Sequence, residues 1–354
     1  MSREKKIFAI GLMSGTSLDG VDLVSVSFGG SHSDSAYQIL IAETIPYPQK
    51  WKQTLQEAIA FSTEELQELD LLYGQYLGGL LQTFIAKHQL KNVAFIASHG
   101  HTILHQPDKG ITLQIGDGQT IARLTGTKVV CDFRTQDVQL GGQGAPLVPI
   151  GDALLFADYA YCVNLGGFAN VSYQQGNKRI AFDICPVNIV LNHYVEKLGF
   201  PFDDQGKIAE KGTVHAPLLA SLNNVPFYQK TAPKSLSLEW VQAMIFPMID
   251  ALELPIPTIL KTCVEHAAMQ IGKVLYKKPS VLLTGGGVFN TYLCDRIAFY
   301  ALERVAKQSD LLINYKEALV FAYLGLLRTE NQVNCLKSVT GASKDHSSGV
   351  IFTP

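Results

Sequence analysis

Met13-Ser14-Gly15-Thr16-Ser17-Leu18-Asp19-Gly20-Val21-Asp22 packs two glycines, three hydroxyls and two carboxylates into ten residues near the start of the chain. Gly15 and Gly20 permit backbone conformations that turn amide N–H groups inward. Those amides, with the hydroxyls of Ser14, Thr16 and Ser17, can cradle phosphate oxygens. The same residues suit a β-hairpin turn, and no G-K-[ST] follows to make a Walker loop. Thr284-Gly285-Gly286-Gly287 offers a second place where missing Cβ atoms let a flat ligand or its phosphates reach the backbone, or where a tight strand-to-helix turn needs them.

Other segments carry proton-transfer and charge chemistry. Asp183, in Phe182-Asp183-Ile184-Cys185-Pro186-Val187-Asn188, ends an apolar run. Burial there would raise its pKa and suit a general base, while the helical pattern from Asn188 to Lys197 equally suits an N-cap aspartate. His99 and His101 share a face of an extended chain, but no third ligand follows at a metal-site spacing. The expectation for His99-Gly100-His101-Thr102 and His105 is a polar loop or a ligand-bonding one, not a metal site. Arg134, beside Gly141-Gly142-Gln143-Gly144-Ala145-Pro146-Leu147, can fork onto a carboxylate or sit in a solvated loop. Glu317 enters a helical pattern, where first-turn dipole chemistry is the plain reading.

These residues need elements to hold them. Strand patterns cover residues 7–10, 21–28, 93–98, 112–115, 128–131, 160–163, 171–173, 179–182 and 280–283. Helical periodicity covers residues 62–88, opened by Ser62 or Thr63 with Glu64 and Glu65, and further helices are expected at 119–124, 188–197 and 290–304. The strand–turn–strand at 160–173, with its Gly166-Gly167 turn, echoes the one at 6–28. Alternating strands and helices in both halves predict an α/β fold of two related domains. The expected division is residues 1–155 and 156–337, with the tail 338–354 assigned to the first domain.

Composition narrows the class of function. The chain has 354 residues, 47% hydrophobic and 17% charged, long enough for two cores. Its 29 basic and 31 acidic residues give a net charge of −2, no footprint for nucleic acid or an anionic membrane. No uncharged run is long and apolar enough to span a bilayer, and no signal-peptide pattern appears. Six singly scattered cysteines predict a reduced compartment, the cytoplasm.

Taken together, these segments resemble the anhydro-N-acetylmuramic acid kinase family of the actin-like sugar kinase superfamily. The likeness is carried most specifically by Met-Ser-Gly-Thr-Ser-Leu-Asp-Gly at 13–20 and Gly-Gly-Gln-Gly-Ala-Pro-Leu-Val-Pro at 141–149. It implies two actin-like (ribonuclease H-like) α/β domains with a ligand cleft between them. ATP and Mg2+ would bind on one side and an amino sugar on the other. The family opens the 1,6-anhydro ring of a cell-wall recycling sugar and phosphorylates its O6. By resemblance Asp183 would deprotonate the attacking water. Gly15, Thr16, Ser17, Leu18, Asp19, Gly20, Val21 and Asp22 would hold the phosphates. Gly166, Gly167, Gly285, Gly286 and Gly287 would meet the nucleotide, and His99, Arg134, Asn188 and Glu317 the sugar. No metal ligand is assigned, and a homodimer rests on the resemblance alone.

The family usually has D-T-G-P-G-N where this chain has Asp183-Ile184-Cys185-Pro186-Val187-Asn188, a segment expected to face the sugar. It also tends to have threonine-glycine after the serine of Pro233-Lys234-Ser235-Leu236-Ser237, and a glutamine at His101. These departures keep two alternatives open: a kinase of the same fold for another sugar acid, or a degenerate non-catalytic protein that binds sugar or nucleotide.

Overall fold

The computed structural model describes residues 6–15, 18–29, 37–302 and 308–354. Two compact units divide the chain. The first comprises Met1–Leu155 with Tyr315–Pro354, and the second Phe156–Asn314.

In the first unit, β1 (Ile7–Ser14), β2 (Gly20–Phe28) and β3 (Tyr37–Pro46) form an antiparallel meander. β4 (Val93–Ser98) then pairs parallel to β1. A separate hairpin follows, β5 (His101–Gln106) with β6 (Ile111–Ile115). β7 (Val129–Cys131) extends the main sheet beside β4.

In the second unit, β8 (Tyr161–Leu165), β9 (Phe168–Gln175) and β10 (Lys178–Pro186) repeat the meander, and β11 (Val281–Thr284) pairs parallel to β8. β12 (Val350–Phe352) returns to the first sheet beside β7. The orders β4-β1-β2-β3 and β11-β8-β9-β10 are therefore the same unit twice. The internal echo in the sequence is an echo of topology.

Local chemistry explains the elements. β1 is a nearly continuous apolar run, and β2 is buried at all but one position with small Ser25 and Ser27 between its apolar residues, because both faces of their sheet are covered. The helix Thr63–Lys87 starts on a capping box: Glu65 N donates to Ser62 Oγ at 3.2 Å, and Ser62 N donates to Glu65 Oε2 at 2.7 Å. It buries Leu66, Leu69, Tyr73, Leu77, Leu81 and Phe84 against the sheet. In the second unit the helix Ile256–Leu275 plays that part, burying Leu260, Val264, Ala268 and Ile271 completely.

The expected second domain ran to residue 337, and the structure corrects that end. The helix Asp310–Thr329 begins in the second unit, but from Tyr315 onward it belongs to the first. Its buried face lies on the first sheet, Ala318 and Ala322 against Gly11 of β1 and Gly325 against Phe95 and Ala97 of β4. Contact is close enough that a Cβ on Gly11 would lie 2.0 Å from the Ala318 carbonyl oxygen. A run of aliphatic residues says that a face is buried but not against which domain. Two smaller expectations also shift. The last long helix of the second unit is Thr291–Ala301 with Asn290 as its cap, and residue 304 lies outside the described residues. Glu317 sits in the body of its helix, not in its first turn.

Candidate functional site

Each unit carries its own set of candidate side chains, gathered on the turn after its first strand and on the strands and helices beside it.

In the first unit β1 delivers Ser14 and β2 begins at Gly20. Thr16 and Ser17 lie outside the described residues. Leu18 holds a left-handed φ of 58°, and its N–H closes a turn onto the Gly15 carbonyl at 3.3 Å. Asp19 is exposed. Gly20 lacks a Cβ for a packing reason, since one would fall 2.4 Å from the Ile45 carbonyl oxygen of β3. Val21 is buried in the sheet core.

The Ser14 hydroxyl, expected among the phosphate ligands, is committed elsewhere. It is 1% exposed and bonds Tyr47 Oη at 2.6 Å, His101 Nδ1 at 2.8 Å and Tyr73 Oη at 3.0 Å, and the two tyrosine hydroxyls bond one another. It fixes the end of β1. Asp22 is half-buried and accepts from Thr44 Oγ1 at 2.6 Å. Burial raises its carboxyl pKa, the Thr44 bond offsets part of that, and Asp19 adds to the rise.

His99, Arg134 and Glu317 come together in this unit. His99 N–H donates to the Leu12 carbonyl and ties the end of β4 to β1. A carbonyl oxygen only accepts, so the 2.9 Å contact from His99 Nδ1 to the Gly100 carbonyl places a proton on Nδ1. Nε2 is then the lone pair that receives Arg134 Nε at 3.2 Å and Nη2 at 2.8 Å. Arg134 Nη1 donates to the Gly144 carbonyl at 2.7 Å. Three of its five N–H groups are committed, leaving one on each terminal nitrogen for a ligand.

Burial and the adjacent guanidinium hold His99 neutral, far below the usual imidazole range. Burial brings Arg134 down to about 10, against the pull of Glu317. Glu317 is half-buried. Burial raises its carboxyl pKa, while Lys316 and Arg134 draw it back. The expected polar loop at 99–101 is in fact interior: His99 is 5% and His101 3% exposed. Its polarity serves Arg134 and Ser14 instead of solvent.

In the second unit Asp183 lies within β10, opposite Asn170 and at a bulge where Ile184 is the extra residue. It is not a helix cap, since Val187 occupies that position. Its N–H donates to the Lys234 carbonyl at 3.0 Å, and Oδ2 accepts from Leu236 N–H at 2.8 Å. Burial raises the carboxyl pKa and the Leu236 bond draws it partly back. A half-buried carboxylate with one oxygen held and its basicity raised is equipped to take a proton.

The altered residues of this segment point into the core of their own unit. Ile184 is 3%, Cys185 0% and Val187 1% exposed, all within the core of this unit. Leu236 meets Asp183 through its backbone, which tolerates a change of side chain. The departures at 184–187 thus alter packing more than surface, whereas those after Ser235 fall on half-buried Leu236 and exposed Ser237.

The glycine turns lie near Asp183 in this unit. The Gly167 carbonyl accepts from Val187 and Ile189 N–H, and the Gly166 carbonyl from Asn188 N–H, so the two carbonyls consume the first amides of the helix Asn188–Val195. Gly285 has a φ of 85°, and a Cβ there would fall 2.5 Å from Asn164 Oδ1. The Asn188 side chain reaches Gly287, since a Cβ there would lie 3.4 Å from its amide nitrogen. Gly286 differs: a Cβ there would meet nothing within 4 Å. It is the open flank of the turn.

Sequence reasoning missed Leu236 N–H, Tyr47 and Tyr73, and it missed Asp137. That aspartate is fully buried, and its Oδ2 accepts from Gly144 N–H at 2.7 Å, holding the turn whose carbonyl holds Arg134. The available signal was its place three residues after Arg134 and just before Gly141-Gly142.

Residues 7–354 match the family described as anhydro-N-acetylmuramic acid kinase. A protein of that name from Saccharophagus degradans is 32% identical over 373 residues, covering 98% of this chain and 98% of the relative. Another from Shewanella sp. (strain W3-18-1) is 34% identical, covering 99% of each. Among solved structures, the activator of the 2-hydroxyisocaproyl-CoA dehydratase from Clostridium difficile aligns with a TM-score of 0.45 at 10% identity, over 92% of this chain and 97% of that one. A ROK family glucokinase from Streptomyces griseus, in complex with glucose and AMPPNP, aligns at 0.39 and 12%, over 90% and 98%. The family assignment rests on the sequence matches alone.

Proposed function

Because the chain belongs to the anhydro-N-acetylmuramic acid kinase family, and is thereby a sugar kinase, we propose that it opens 1,6-anhydro-N-acetylmuramic acid with water and phosphorylates O6 from ATP, yielding N-acetylmuramic acid 6-phosphate. The observation that carries this reading is Asp183: a half-buried carboxylate of raised pKa, with one oxygen anchored by Leu236 N–H. It takes a proton from the water that attacks C1. The C1–O6 electron pair passes to O6, and O6 receives the γ-phosphoryl group as ADP departs. Such a transfer depends chiefly on positioning and on stabilising charge.

Arg134, oriented by His99 and Gly144, is assigned to the carboxylate of the sugar acid, where its remaining N–H groups can fork. Glu317 and Asn188 are assigned to its hydroxyl and amide groups. Gly15, Leu18, Asp19 and Asp22, with Thr16 and Ser17, are assigned to the phosphates, and Gly166, Gly167 and Gly285–Gly287 to the nucleotide. Ser14, whose hydroxyl is committed, is not. The open flank at Gly286 fits a flat ligand. Exposed Asp19 and half-buried Asp22 are oxygen donors of the kind Mg2+ takes. When bound, Mg2+ neutralises charge on the phosphates. The burial of Ile184, Cys185 and Val187 favours the family's own sugar over a different one, because these changes do not recast a ligand-facing surface. ATP use and free cysteines support a cytoplasmic setting.

The test is ADP release in the presence of the anhydro sugar. Asp183→Asn should lower kcat by about 10²–10⁴-fold, the worth of a general base, with ATP binding unchanged by calorimetry. Turnover equal to the parent would remove Asp183 from the base role. ATP binding with no sugar phosphate formed by the parent chain would leave the non-catalytic reading.

A further inference from the structure

Asp137, Cys335 and His346 meet in the interior of the first unit, with the Arg134 guanidinium as a charged neighbour that bonds the Gly144 carbonyl while Asp137 bonds the Gly144 N–H. They are 0%, 2% and 5% exposed, and one ligand atom from each lies within 4.8 Å of the others. Cys335 and His346 are partners across an antiparallel bridge, each N–H donating to the other's carbonyl at 3.1 Å. Directly opposed residues carry their side chains to one side, so the backbone presents thiol and imidazole as a pair. Asp137 Oδ1 lies 3.0 Å from Cys335 Sγ, 2.7 Å from Thr340 Oγ1 and 3.6 Å from His346 Nε2.

The imidazole is the anomaly. Its Nδ1 lies 3.1 Å from the Lys344 carbonyl, which only accepts, so Nδ1 carries the proton. In the neutral ring Nε2 is then a buried lone pair 3.6 Å from the Asp137 carboxylate, and among the described residues no hydrogen-bond partner meets it. Two buried acceptors facing one another are costly unless a positive centre stands between them.

We propose that Asp137, Cys335 and His346 bind a divalent cation of the zinc class. Zinc takes sulfur at about 2.3 Å and nitrogen or oxygen at about 2.0–2.2 Å in a tetrahedron, which sets ligand atoms roughly 3.2–3.8 Å apart. Asp137 Oδ1 to His346 Nε2, at 3.6 Å, lies in that range; Asp137 Oδ1 to Cys335 Sγ, at 3.0 Å, opens by a few tenths of an ångström on binding, and Sγ and Nε2 start within 4.8 Å of one another. Binding replaces the Cys335 S–H proton by the metal: a Zn–S bond forms, the S–H bond breaks, and the proton leaves to solvent. Carboxylate and thiolate together balance the two positive charges, so the buried site is neutral. The fourth position falls to a water or to Thr340 Oγ1. Without metal, burial and the neighbouring Asp137 keep the thiol protonated far above its usual range. The bound ion would fasten residues 335–346 to the helix Thr135–Gln139 and to the Gly144 turn.

The test uses the intact chain, stripped with chelator and titrated with Co2+, a spectroscopic stand-in for Zn2+. Expected are one equivalent bound, thiolate-to-cobalt charge transfer, the visible bands of a tetrahedral ion, one proton released, and displacement by Zn2+. Cys335→Ser should abolish the charge transfer, and His346→Gln should weaken binding at least about tenfold. If either variant fails to fold, the parent chain still decides, because Zn2+ should raise its thermal midpoint with release of one proton. No cobalt band and no zinc-dependent shift in the folded parent would overturn the site and leave a metal-free imidazolium–carboxylate pair. A band that persists in folded Cys335→Ser would overturn it too, by placing the thiolate at another cysteine.

Discussion

At the scale of single residues, the candidate site side chains get their properties mostly from burial. Burial raises the basicity of the Asp183, Glu317 and Asp22 carboxyls, and drives His99 and His101 toward neutrality, His101 to about 4. The histidines have a thermodynamic consequence. Unfolded histidine titrates near 6.5 and these titrate lower, so between those values the unfolded chain binds more protons. Stability from keeping them neutral is complete above about pH 6.5 and is lost as pH falls toward 4. Each contributes a slope of about 1.4 kcal/mol per pH unit in that window. His101→Gln keeps a hydrogen-bonding group beside Ser14 but cannot titrate. Urea unfolding at pH 7, 6 and 5 should show the parent losing stability more steeply than the variant, by about that slope. The carboxyls of raised pKa oppose the trend in both proteins and cancel in the difference. Parallel losses would show that His101 is not held neutral. Asp183 stands out as a candidate in the sequence because it lies in a contiguous motif. The role of Ser14 was not legible there, because its partners Tyr47, Tyr73 and His101 lie 33, 59 and 87 residues away. Local spacing does not encode such distances.

At the scale of elements, the strands were legible from apolar runs and glycine turns, and the helix Thr63–Lys87 from its capping box. Which face of β10 the residues after Asp183 would present was not legible, because the bulge at Ile184 breaks the period-two alternation on which such a reading depends. The segment beside Asp183 is the other hidden part, since it acts through a backbone amide that no side-chain motif reports. That amide can be removed alone. Leu236→Pro deletes the donor to Asp183 Oδ2, while Leu236→Ala keeps it. The Leu236 bond lowers the Asp183 pKa, so its loss should raise it further. A base works ionised, so the acidic limb of kcat against pH should move to higher pH in Leu236→Pro. At pH 7 kcat should fall, while Leu236→Ala stays within about twofold of the parent. Equal displacement of the limb in both variants would show that the side chain, not the amide, sets the carboxyl.

At the scale of the whole molecule, one meander followed by one parallel strand has been used twice, and each copy has a glycine-bearing turn after its first strand. The copies differ in how the chain completes them. Phe156–Asn314 is contiguous and contains its own core, the sheet β11-β8-β9-β10 packed on the helix Ile256–Leu275. The other unit is split, because the helical residues from Tyr315 onward, β12 and the Cys335–His346 bridge all return to it. A fragment of residues 156–314 should therefore unfold cooperatively by circular dichroism. A fragment of residues 1–155 lacks the helix that covers Gly11, and it lacks the Thr340 and Cys335 donors that satisfy the fully buried Asp137. Asp137 then keeps only the Gly144 N–H on Oδ2, and leaving the other oxygen of a buried carboxylate without donors costs about 1–3 kcal/mol or more, a sizeable part of the stability of a domain. That fragment should show no cooperative transition, and joining residues 315–354 to it through a flexible linker should restore one. If residues 1–155 melted as sharply alone as when joined, the returning segment would be an appendage and not part of the unit's core.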